Sequence, residues 1–124
     1  MIVGDYDGAI ADYGKAIELD PNVAKMHVDR GILWVVKGDL KQAQADFEMA
    51  IQIDRNSPGG YYGRGLLRAR AGDQDGAIAN FNQAIKLYPR YADAYTARSQ
   101  AWAAKSDRKR AEADRKKALS LGGN

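Results

Sequence analysis

The stretch PGGYYGRGLLRARAGDQDGAIANFNQAIKLYPRY, Pro58–Tyr91, decides the fold, because its landmarks return on either side of it at a fixed distance of 34 residues. Gly72 returns as Gly38 and Gly4, and Asp73 as Asp39, Asp5 and Asp107, with Ser106 in the fourth glycine position. Ala77 returns as Ala9, Ala43 and Ala111, and Ala84 as Ala16, Ala50 and Ala118. Between those alanines, Phe81 is matched by Tyr13 and Phe47, whereas Arg115 takes that place in the last copy. The first half of the unit returns as Arg30, Arg64 and Arg98, followed by Gly31, Gly65 and Ser99. Such a period marks a repeat architecture, in which each unit buries its apolar side by stacking on its neighbours.

Spacing within the unit supplies its local structure. Ala77, Phe81, Ala84 and Ile85 are separated by four, three and one residues, which places them on one side of a helix. The same spacing holds for Ala9, Tyr13, Ala16 and Ile17, and for Ala43, Phe47, Ala50 and Ile51. Small alanines let helices approach closely while the aromatic fills the space between them. The Gly-Asp pairs mark turns, since Gly adopts positive φ at a helix exit and Asp accepts amide hydrogen bonds at the next helix start. Pro21 and Pro89 interrupt a continuous helix at the unit boundaries, and Pro58 suits a first turn. The pattern predicts an all-α chain of seven helices at about 5–19, 24–37, 40–53, 58–71, 74–87, 92–105 and 108–121, with Gly122 and Gly123 as the terminal stop. Read as one domain over 1–124, this is an unpaired second-type helix at 5–19, repeats at 24–57 and 58–91, and a repeat with a C-terminal cap at 92–124.

On these residues the chain resembles the tetratricopeptide repeat (TPR) family over nearly all its length. Tyr61, Gly65, Gly72, Asp73, Ala77, Phe81, Ala84 and Pro89 stand in the family's order, as do Gly31, Trp34, Gly38, Ala43, Phe47 and Ala50 in the preceding unit. Arg55 replaces the unit-closing proline there, and Ser99, Ser106 and Arg115 depart from the pattern in the last unit, which keeps Tyr95, Ala97, Trp102, Ala111 and Ala118. The resemblance implies an α-solenoid of antiparallel helix pairs in a right-handed superhelix, with the first helices of successive pairs lining a concave groove. The expected peptide-binding positions are then Lys25, Val28, Asp29, Ile32 and Val35, followed by Tyr62, Leu66 and Arg70, and by Thr96 and Gln100. Gly59, Ala69, Asp93 and Ala103 continue the same track. Such a mixed surface suits an extended peptide or a partner helix, with apolar side chains supplying contact area and sparse polar groups fixing register.

One class within the family clamps the carboxylate end of chaperone tails with Lys, Asn and Arg. This chain has Val28 and Ile32 where that class has Lys and Asn, and Ala97 at a position associated with a basic contact, so chaperone-tail binding is not expected. The ladder of Arg30, Arg64 and Arg98 departs from the family's usual apolar residue. It reads first as packing, with long stems covering apolar surface and charges extended outward, and second as an anion track. Tyr61, Tyr95, Trp34, Trp102 and His27 fall on packing positions, while Tyr62 suits packing and ligand contact equally.

Composition narrows the chemistry. A formal charge of +3 is too slight to force a nucleic-acid reading, although residues 90–124 carry nine basic and four acidic side chains against ten and twelve in residues 1–89. Lys109, Arg110, Lys116 and Lys117 read as the soluble face of a capping helix, and no aromatic stacking surface accompanies them, so nucleic-acid contact is not expected. With no cysteine and a single histidine, His27, there is no thiolate chemistry or multi-histidine metal site, and no metal or cofactor is expected. Most acids fall at turns or exposed helix positions without a convergent acid–base pair, so the chain is not read as an enzyme. No run approaches the roughly 20 apolar residues of a membrane span. A soluble, cytoplasmic protein is the default.

The leading helix carries an apolar side, Ala9, Tyr13 and Ala16, that a stacked repeat covers. It is read as an oligomer interface at which two chains cover these helices against each other, or exchange them, giving a homodimer. The alternatives are that Met1–Val3 fold over it or that the chain is part of a longer array. The functional expectation is a non-catalytic module binding a peptide or protein in its groove, with a mainly structural homo-oligomerisation element as the alternative.

Overall fold

A computed structural model of the chain describes residues 5–122. These form seven helices: α1 Tyr6–Leu19, α2 Ala24–Lys37, α3 Leu40–Ile53, α4 Pro58–Arg70, α5 Gln74–Leu87, α6 Ala92–Ala104 and α7 Arg108–Ser120. The helices stand where the repeat spacing puts them. Gly4, the fold-over of Met1–Val3 and the stop at Gly123 lie outside the described residues.

The turns have the expected chemistry. Gly38 and Gly72 sit in the left-handed region with φ of 85° and 89°. Ser106 holds the same conformation at φ 65°, although its Cβ makes that backbone unfavourable. Asp39, Asp73 and Asp107 each accept a backbone N–H three residues on, from Gln42, Gly76 and Arg110, satisfying donors that the first helical turn leaves open. Between units the turns are of another kind: the carboxylates of Asp20 and Asp54 accept from the amides of Asn22 and Asn56. Ser57 then caps α4, its hydroxyl accepting from the Gly60 amide.

Packing divides the chain into two compact units, Met1–Gly63 and Arg64–Asn124, so α4 contributes its first half to one and its second half to the other. In the first unit, α1 packs on α2 and α2 on α3. Ala43, Phe47 and Ala50 are completely buried. Glycines on two helices make room for the Phe47 ring: a Cβ added at Gly31 would stand 2.6 Å from it, and one at Gly63 would collide with it too. In the second unit, α5 packs on α6 and α6 on α7. Ala77, Phe81 and Ala84 are completely buried, and a Cβ at Gly65 would meet the Phe81 ring at 2.5 Å. Each ring's burial stabilises its unit by roughly 1.5–3 kcal/mol. The alanine-and-aromatic seams are the cores, and α1 is the exception: it has no buried residue.

Candidate functional site

The first-type helices α2, α4 and α6 carry the expected binding positions, and the structure sorts them by accessibility. Lys25, Arg70, Thr96 and Gln100 are exposed, whereas Asp29, Ile32, Val35, Tyr62 and Leu66 are half-buried. Val28 is buried, its Cγ1 only 2.7 Å from where a Gly59 Cβ would be, which leaves it little surface for a ligand. Gly59 and Ala69 are half-buried, and Asp93 and Ala103 exposed.

In the first unit some of these residues converge. Asp29, Ile32 and Leu33 of α2 join Ala9 and Tyr13 of α1 around an open groove of about 250 Å³. A neighbouring groove of about 360 Å³ is lined by Ala9, Asp12, Tyr13, Ala16 and Met26. Apolar surface thus lies beside two carboxylates. Asp29 is held by Lys25 at 3.0 Å, and that hydrogen bond, with the charge of Asp29, raises the Lys25 pKa above its ordinary value. In an exposed pair of this kind the direct energy is small, so its effect is to fix where the charges stand.

The arginine ladder behaves differently from the sequence reading. At its first and last positions the charge is turned inward: the guanidinium of Arg30 takes both oxygens of buried Asp46 on α3, and that of Arg98 takes both oxygens of buried Asp114 on α7. Both arginine pKa values are raised, first by these hydrogen bonds. Arg98 also donates to Asn82 and lies 5.4 Å from the centre of the Tyr95 ring. The sequence carries a signal for these partners in spacing alone, since Asp46, Asn80 and Asp114 recur at the repeat distance, each 16 residues after an arginine of the ladder. At the middle position the acid is replaced, and Asn80 accepts from Arg68 at 3.0 Å. A paired, part-buried guanidinium is poorly suited to binding a mobile anion.

The positions read as packing differ in burial: His27 and Tyr95 are buried, whereas Trp34, Trp102 and Tyr61 are not. His27 is buried and its Nε2 donates to the Pro21 carbonyl at 3.0 Å, while Nδ1 lies 3.6 Å from an Asp46 oxygen. Tyr95, two repeats on, makes the equivalent bond from its hydroxyl to the Pro89 carbonyl at 3.0 Å. Trp34 and Trp102 are only half-buried and carry cations on their faces, Lys37 at 5.9 Å and Arg110 at 4.9 Å. Tyr61 is half-buried. Lys37 and Lys105 also reach back to Asp7 and Asp75 on the preceding helix, one contact repeated two units apart.

Residues 3–34 match the family model described as TPR repeat, and residues 58–91 match the one described as Tetratricopeptide repeat. The chain belongs to the tetratricopeptide repeat family. This TPR chain is similar in structure to the crystal structure of MamA, with 24% identity and a TM-score of 0.60, covering 96% of this chain and 90% of that one. It is similar to the MamA RS-1 ArsTM double mutant at 22% identity and a TM-score of 0.72, covering 97% and 67%. It is also similar to the first TPR of Spaghetti (RPAP3) bound to the HSP90 peptide SRMEEVD, at 23% identity and a TM-score of 0.72, covering 82% and 80%. Together with the helix order, these likenesses give an all-α TPR solenoid. No curated protein matches the chain. TPR repeats are general protein–protein interaction modules and generally non-catalytic. Among the described residues, no three His, Cys, Asp or Glu side chains gather as a metal site, and no helix is long and apolar enough to cross a membrane.

Proposed function

We propose that this TPR chain is a non-catalytic module that captures an extended peptide or a partner helix of another protein on the open faces of its first-type helices, and that its own copies associate through α1. The observation carrying this reading is the groove in which Asp29 and Ile32 of α2 meet Ala9, Tyr13 and Leu33, because it sets apolar contact area beside a fixed charge. Exposed Thr96 and Gln100 on α6 offer polar contacts in the second unit. The apolar side of α1, with Ala9, Tyr13 and Ala16 half-buried, supports the homo-oligomeric part of the reading. The similar TPR solved with an HSP90 peptide illustrates peptide capture by this architecture. A carboxylate clamp is not proposed here, because Val28, Ile32 and Ala97 supply no polar side chain at its positions.

The test is a peptide-array profile of the purified chain, followed by titration of the best binders against wild-type protein and Ile32→Glu. Patterned binding that weakens at least tenfold in the variant supports the proposal. Binding unaffected by Ile32→Glu removes the α2 groove from it.

A further inference from the structure

We infer that the open stripe of α1 receives α7 of a second copy, so that chains associate head to tail. This rests on the reading of α1 as an assembly surface and names the surface that meets it.

The first observation is a pair of helices with one sequence pattern and two environments. Asp5, Asp7, Gly8, Ala9, Ile10, Ala11, Ala16, Ile17 and Leu19 recur, each 68 residues on, in and around α5. In α5 that pattern is covered: Ala77, Ile78, Asn80, Phe81 and Ala84 are buried. In α1 none of the equivalents is buried, and Leu19 is 89% exposed. At the position of Asn80, α1 has a charge, the exposed carboxylate of Asp12. The same position in α3 and α7 is Asp46 and Asp114, and in both a guanidinium from the covering helix occupies the carboxylate. A helix that covers α1 therefore brings a cation to Asp12.

The second observation is where this chain presents such a helix. Arg108, Glu112, Arg115 and Leu119 are spaced by four, three and four residues, so they form one stripe of α7, and all four are exposed. Leu119 is 51% exposed. Its repeat equivalent, Ile51, lies against the next helix in the chain, its Cγ1 2.7 Å from where a Gly60 Cβ would be. Leu119 thus marks the side of α7 equivalent to the one that α3 turns to α4. Arg115 stands at the register of Phe47 and Phe81, the central contact of each covered seam.

Charge completes the match. Around α1 stand Asp5, Asp7, Asp12, Glu18 and Asp20 against Lys15, and along α7 stand Arg108, Lys109, Arg110, Arg115, Lys116 and Lys117 against Asp107, Glu112 and Asp114. Two α1 helices face to face would oppose like charges, as would two α7 helices. The α1 stripe Asp5, Ala9, Asp12, Ala16 and Leu19 has Asp12 at its middle, and Arg115 lies near the middle of its own, so the two meet in either helix direction. Arg115 is bound to Glu112 on its own helix, but that pair is exposed on both sides and costs little to exchange. One helix on one helix falls short of the roughly 1,200–2,000 Å² of a stable interface, so the association is weak and salt-sensitive.

The test is sedimentation velocity of the full chain over rising concentration, at low and high salt, for wild type, Asp12→Arg, Arg115→Asp and a mixture of the two variants. Both positions are exposed, and circular dichroism checks that the helices remain. The expected result is concentration-dependent association of wild type that high salt weakens, at least a tenfold loss in each variant alone, and recovery on mixing, where every α1–α7 contact again joins opposite charges. Association that survives in Arg115→Asp, or variants that fail to recover on mixing, would overturn the α1–α7 pairing while leaving α1 as an interface. A wild-type chain that stays monomeric throughout would overturn both.

Discussion

Arg30 and Asp46 form a two-pronged ion pair between α2 and α3, with Nε to Oδ2 at 2.9 Å and Nη2 to Oδ1 at 2.7 Å. The Asp46 side chain is only 5% exposed and that of Arg30 25%. Such a pair does not by itself make the unit more stable than an apolar contact of the same shape would, because desolvating both charges offsets their attraction. Its consequence is asymmetry: removing one partner strands the other. Asp46→Ala is expected to lower the unfolding free energy by about 3 kcal/mol, whereas Asp46→Asn, the residue that stands at 80 in the next repeat, should cost about half that because it still accepts a hydrogen bond. Urea melts of the two variants check this. Equal losses would mean that charge rather than hydrogen bonding decides.

Phe47 occupies the space left by Gly31 and Gly63, so both enlarging the glycine and shrinking the ring should hurt. Phe47→Ala is expected to destabilise by about 3–5 kcal/mol, and Gly63→Ala by about 1–3 kcal/mol. Joining the two in one chain should cost less than the sum, because the new Cβ enters the space the ring vacates. Thermal or urea unfolding of both single variants and the double variant measures the coupling, and strict additivity would contradict the contact.

The seams were legible because Ala43, Phe47, Ala77 and Phe81 must recur on one helix side for the repeats to stack, and periodicity reports that requirement directly. The turns were legible through Gly38 and Gly72, whose left-handed backbone few other residues adopt, and through the aspartates that follow them, whose side chains accept the first helical amides. The arginine ladder was legible as a pattern but not as a contact, since pairing Arg30 with Asp46 depends on how α2 and α3 cross. Val28 was placed on the groove by its position in the helix and is instead covered, because Gly59 lets α4 approach it. Helix spacing fixes a direction around the axis, and a neighbour's missing side chain decides what fills it.

Asp107 supplies a pH test on the C-terminal helix. The Arg110 backbone amide donates to its carboxylate, and the Arg110 side chain adds a second bond, so the Asp107 pKa lies below its ordinary value of 3.8. A folded-state pKa below the unfolded one means that the contribution to stability is complete above the unfolded value and is lost as pH falls through the folded one. Carboxyl-carbon NMR titration should give Asp107 a midpoint below 3.8. Arg110→Ala should move it only part of the way back, since the larger contribution comes from the backbone amide that the variant keeps. A complete return would show that the side chain, and not the helix cap, holds the charge.

Ser106 is the position where a single substitution should strengthen the fold. Its φ of 65° repeats the backbone of Gly38 and Gly72 at the same turn, but with a side chain that the left-handed conformation disfavours. Relief of that strain is worth about 1–2 kcal/mol, and the greater freedom of glycine in the unfolded chain returns about 0.5–1 kcal/mol of it. Ser106→Gly is therefore expected to raise the unfolding free energy by roughly 0.5–1 kcal/mol. Ser106→Ala should not, because it keeps the Cβ that causes the strain. Comparing the two variants by urea unfolding separates backbone relief from any effect of the hydroxyl. If alanine stabilised as much as glycine, the left-handed turn at 106 would not be the source of the strain.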